Sequence, residues 1–104
     1  MPTNVINNMS DNQQITELLS EIDRVLFGKN TLKFSPQLVS SSKRAMATSY
    51  AELLMSDPSN VTKFHVRILL PEFSKQEIAL ITSHVFKAID KNKHLKKILT
   101  YLEN

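Results

Sequence analysis

The sequence predicts an all-α fold, a small bundle of four or five helices in a single domain. Three observations lead there. One glycine and four prolines leave little material for the tight turns that join strands, which favours helices with short links. Helix-start signals recur along the chain, at Ser10 or Asp11, at Ser35-Pro36, at Asp57-Pro58, and at Ser74 with Glu77 three residues on. Between Phe73 and Asn92, apolar residues recur at Ile78, Ile81, Val85 and Ile89 with helical spacing.

Taken in order, residues 1 to 10 are Asn-rich and read as a flexible N-terminal segment, with the helical domain occupying residues 11 to 104. The first helix places Ile15, Leu18, Leu19, Ile22, Val25 and Leu26 on one face and Glu17, Glu21 and Arg24 on the other, and Gly28 stops it. The second, over about residues 36 to 55, presents Leu38, Val39, Ala45, Met46, Tyr50 and Leu53, with Ser42 and Ser49 allowing a close neighbour. The third segment, VTKFHVRILL, is ambiguous. A helix aligns Val61, Phe64 and Ile68, whereas a strand alternates Phe64, Val66, Ile68 and Leu70 with Lys63, His65 and Arg67. The start signal, and the lack of a partner strand, favour the helix.

Pro71 ends that element, and Phe73 has the place of a hydrophobic staple before the helix from Ser74 to about Lys91. Leu95, Ile98, Leu99 and Leu102 then form a second apolar stripe, on a basic C-terminal helix over residues 93 to 103. In one unbroken helix, at ~100° per residue, this stripe would sit roughly 110° around from Ile78, Val85 and Ile89. A bend between Asp90 and Lys93, or a separate packing surface for the last helix, is therefore expected.

Composition narrows the function. A 104-residue chain builds one core and little depth for a water-excluding cleft, so function by surface contact is favoured. The absence of cysteine removes disulfides, thiolate nucleophiles and cysteine-bound metals. The first residues lack a basic segment followed by an apolar one, and no 18-residue apolar run follows. These features predict a cytoplasmic protein with no transmembrane segment. Net charge is +3 and uneven: residues 1–62 carry five Lys/Arg against six Asp/Glu, residues 63–104 eight against four.

Catalytic chemistry finds no constellation here. His65, His84 and His94 have no helix-spaced His, Asp or Glu with which to hold a metal. Serines are plentiful, but no nucleophile elbow surrounds them, and one glycine cannot make a phosphate loop. Glu17 and Glu21 read as carboxylates on an exposed helix face. The sequence thus implies neither an enzyme nor a cofactor.

The basic run Lys87, Lys91, Lys93, Lys96 and Lys97, opposed only by Asp90, suits phosphates or an acidic protein patch, and equally the C-terminal end of a helix dipole. Off-face apolar residues Leu54, Met55, Leu70 and Leu80 point to a surface for a partner or a second copy, a homodimer. The expected partner-binding residues are Leu80, His84, Lys87, Lys91, Lys93, Leu95, Lys96, Lys97 and Leu99, facing another protein, acidic in character. The alternative is a small basic nucleic-acid-binding protein, with residues 58–91 as a helix-turn-helix. Leu95, Ile98, Leu99 and Leu102 opposite lysines would also suit a membrane surface.

In size, basic pI, lack of cysteine and helical order, the chain resembles the small bundle immunity proteins that protect bacteria from their own class II bacteriocins. FSKQEIALI is similar to a stretch before their last long helix, although the third element here is shorter than theirs. The resemblance implies a cytosolic antiparallel bundle whose C-terminal part acts at the membrane face on a toxin-bound receptor. It transfers no catalytic residue. The reading is then a non-enzymatic regulator, inhibitor or immunity-type factor.

Overall fold

The structure is a computed structural model that describes residues 3–29 and 38–103. Among the described residues it has five α-helices and no strand: α1 Thr3–Leu26, α2 Ser41–Ser56, α3 Lys63–Leu69, α4 Lys75–Ala88 and α5 Asn92–Glu103, with one 3₁₀ turn at Pro58–Asn60. The all-α bundle is therefore as the sequence predicts. Helices α2 and α4 are central: α2 packs on α1, α3 and α4, while α4 packs on α1, α2 and α5, and α3 meets α5.

Local chemistry explains most of the boundaries. Ser74 Oγ accepts from Glu77 N at 3.1 Å, and Glu77 Oε1 accepts from Ser74 N at 2.9 Å, so two backbone donors that the first turn of α4 leaves without partners are satisfied reciprocally. The same carboxylate accepts from Lys43 Nζ at 3.2 Å through Oε2, tying α2 to the start of α4. Lys43 also lies 4.9 Å from the centre of the Phe73 ring, a cation–π contact.

The starts of α1, α2 and α3 differ from the sequence reading. Helix α1 begins at Thr3, leaving Ser10 and Asp11 inside it; once a helix is nucleated, each added residue brings one more hydrogen bond. For α2 the cap is Ser40, whose hydroxyl accepts from Lys43 N. The serine run is thus the helix start rather than its interior, since a serine side chain serves best where backbone donors have no partner. The expected Ser35-Pro36 start lies outside the described residues. Asp57-Pro58 begins only the 3₁₀ turn, where the Asp57 carboxylate accepts from Asn60 Nδ2 at 3.0 and 2.9 Å. The cap of α3 is Thr62, and His65 Nδ1 accepts from its N–H at 3.2 Å, taking the place a glutamate has in a capping box.

The bend before α5 falls where the misaligned stripes require it. Asp90 adopts φ 57°, and Lys91 N donates to Phe86 O at 2.9 Å. This six-to-one closure is a Schellman stop, with aspartate where glycine is usual. It re-aims α5 so that Ile98 is fully buried. A left-handed residue with a Cβ is strained, so Asp90→Gly is expected to stabilise the fold by about 0.5–1 kcal/mol in chemical denaturation, net of the entropy glycine costs. Asp90→Ala, lacking the short polar side chain, is expected to destabilise it.

The core combines Leu18 and Ile22 of α1, Ala47, Tyr50, Ala51 and Leu54 of α2, Val66 of α3, Ile98 of α5, and a broad face of α4. That face is Ile78, Ile81, Thr82, Val85 and Phe86; Ile89, expected in the stripe, is the partly buried C-cap, and Phe86 is buried instead. Because α4 is covered by α1, α2 and α5, its buried sector exceeds one stripe. On α2 the small residues under the packed face are Ala47 and Ala51, while Ala45 and Ser49 are exposed.

Glu17 is a correction of larger consequence. Expected on a solvated face, it is 4% exposed. Its carboxylate accepts from Leu38 N at 2.7 Å, from Val39 N at 3.3 Å and from Arg44 Nη1 at 3.1 Å. Arg44 Nη1 also donates to Val39 O at 3.0 Å. One ion pair thereby holds the chain entering α2 against α1. Glu21 does pair on the surface, with Arg24.

Candidate functional site

Three surface features compete for a functional role. The outer side of α4 and the polar side of α5 are the ones the sequence singles out. Leu80 is 40% exposed. His84, one turn on, is tied by Nε2 to Asp23 Oδ1 of α1 at 2.7 Å, so it serves the α1–α4 packing as well as the surface. Lys87, Lys91, Lys93, Lys96 and Lys97 are all exposed. Lys97 Nζ donates to Ser59 O at 3.3 Å, which leans α5 on the 3₁₀ turn.

The apolar side of α5 is committed elsewhere. Ile98 is fully buried, and Leu95 and Leu102 pack against the core, with Leu99 half-buried beside them. A face already used by the bundle is not free to lie in a lipid headgroup layer. Replacing Leu95 therefore removes core contacts along with any surface contact, which makes Leu80 the cleaner probe of this region.

The second feature lies on α3. Phe64 is 68% and Ile68 60% exposed, although the helical reading placed both on the buried face with Val61. Val66 and Leu70 point inward instead, next to α2 and α5. Leu70 and Leu54, expected outside the apolar stripes, are thus buried, and Met55 packs on the core. The seven residues of α3 are apolar on two opposite sides, so spacing alone cannot choose between them. Beside Ile68 is a shallow groove of about 420 Å³ between α2 and the end of α3, where Ser42, Ala45, Met46 and Ser49 face Leu69 and Pro71. The small residues expected to admit a neighbouring helix line this open groove.

The third feature is a cavity of about 380 Å³ between α3, the Pro71 turn, the start of α4 and the end of α5. Val66, Leu70, Ile78 and Leu102 supply apolar lining, with the rings of Phe73 and Tyr101 beside them. Lys63, Arg67 and Lys75 are its charged residues. Lys63 and Arg67 are one turn apart on α3, and Lys75 is the first residue of α4.

Among the described residues no three His, Cys, Asp or Glu side chains converge on a metal position, and no buried side-chain polar atom lacks a partner. The polar interior is occupied by structural contacts such as Glu17–Arg44 and Tyr50–Thr82. No described helix is long and apolar enough to cross a membrane. Comparison with known proteins finds no match: no family model, no curated protein and no solved structure is significantly similar to this chain.

Proposed function

We propose that this protein is a non-enzymatic, protein-binding regulator or inhibitor that acts through exposed apolar residues, with the basic α5 assisting the approach of its partner. The observation that carries the reading is the outward placement of Phe64 and Ile68, one turn apart on α3, with Ile68 lining the shallow groove between α2 and the end of α3. Two large side chains held in water on so short a helix gain nothing for the fold, whereas covering them by a partner is favourable by about 25 cal/mol per Å². The lysines of α5 add a positive field that accelerates association with an acidic surface. The immunity-type form of this reading rests on the FSKQEIALI resemblance, and self-association would use the same apolar side chains.

The test is capture of partners from the native host, with sedimentation of the purified protein to detect a second copy. Phe64→Ala combined with Ile68→Ala is expected to leave stability within about 0.5 kcal/mol. The pair should weaken capture or self-association at least about tenfold, since a buried apolar anchor is worth more than 1.4 kcal/mol. Leu80→Ala is expected to act in the same direction. If Lys93→Glu, Lys96→Glu and Lys97→Glu together abolish binding while the apolar variants do not, and binding falls steeply with salt, the nucleic-acid reading replaces this one.

A further inference from the structure

We propose that the cavity between α3, α4 and α5 is a binding site for a free small amphiphilic organic anion, an aliphatic or aromatic carboxylate. Its apolar body would lie against Val66, Leu70, Ile78 and Leu102, and its carboxylate would meet Lys63, Arg67 and Lys75. The volume, about 380 Å³, falls within the ~300–1,000 Å³ of small-ligand pockets. The site combines an apolar lining with three charged residues of one sign, the composition that orients such a ligand.

Charge selects the anion. Three cationic residues line the cavity and no carboxylate does. None of the three takes part in an ion pair among the described residues; the carboxylate nearest in sequence to Lys75, Glu77, is engaged by Ser74 N and Lys43. Like charges brought to one rim repel, and an anion between them removes that cost. Arg67 offers the planar fork that grips a carboxylate with two parallel hydrogen bonds. The vesicle arm of the experiment separates a free molecule from a lipid held in a bilayer.

The experiment is titration of the whole chain with decanoate below its micellar concentration, followed by backbone amide shifts. The expected result is saturable shifts at Val66, Leu70, Ile78 and Leu102. Decanol and decyltrimethylammonium should bind at least about tenfold more weakly, the loss of one charge-assisted hydrogen bond. Arg67→Glu and Lys75→Glu, both at exposed positions, should each weaken decanoate by a similar factor, and Lys96→Glu on α5 should not. Equal binding of decanol and decanoate would overturn the proposal. So would shifts centred on Phe64 and Ile68, or binding to anionic phospholipid vesicles with none to monomeric decanoate.

Discussion

Replacing Glu17 by alanine is expected to cost about 3 kcal/mol of stability, the lower part of the 3–5 kcal/mol range for breaking a buried ion pair. The lower part applies because the Arg44 side chain retains 15% exposure. The variant leaves that guanidinium facing a void and deprives Leu38 N and Val39 N of their acceptor. In a domain of this size such a loss lowers Tm by roughly 12 °C or more. The double variant Glu17→Ala with Arg44→Met should recover part of it, since no unpaired charge is left buried. A loss below about 1 kcal/mol for Glu17→Ala would show that the pair does not hold the entry to α2 in place.

Alkaline pH is expected to unfold the protein through Tyr50. Its ring is fully buried. Burial raises the phenol from an ordinary 10.0 to about 12. Thr82 Oγ1 gives its proton to Ile78 O at 2.7 Å, so in the 2.8 Å contact Tyr50 is the donor and needs to stay protonated. The unfolded chain ionises near 10 while the folded one resists. Stability linked to this group is therefore full below pH 10 and lost as pH climbs to 12, by about 2–3 kcal/mol. The comparison that isolates Tyr50 is with Tyr50→Phe. That variant should be about 1 kcal/mol less stable at neutral pH, yet lose less stability than the wild type between pH 10 and 12. Parallel curves for the two proteins would refute the assignment.

The candidate surfaces were legible to different degrees, for reasons of geometry. Leu80 was visible in advance because α4 is long and its other side carries a clear apolar stripe. Phe64 and Ile68 were not, because Val66 and Leu70 offer an equally good inner face only a few positions away. The rim of the cavity was beyond reach as well. Lys63 and Arg67 share a helix face by their spacing, but Lys75 joins them only through the turn at Pro71.

Local sequence determined whatever is decided within about six residues. The Ser74–Glu77 box, the stop at Gly28 with φ 66° and the need for a break near Asp90 all depend on neighbours along the chain, where backbone donors and acceptors either find a partner or do not. Only the tertiary structure decided which side of α3 faces inward, that Phe86 is buried while Ile89 caps α4, and that Glu17 leaves solvent. Each of these depends on groups brought together from distant segments, as Glu17 is with the amides of Leu38 and Val39 and with Arg44. Burial is a property of the neighbours a residue acquires, and residue type and spacing do not specify those neighbours.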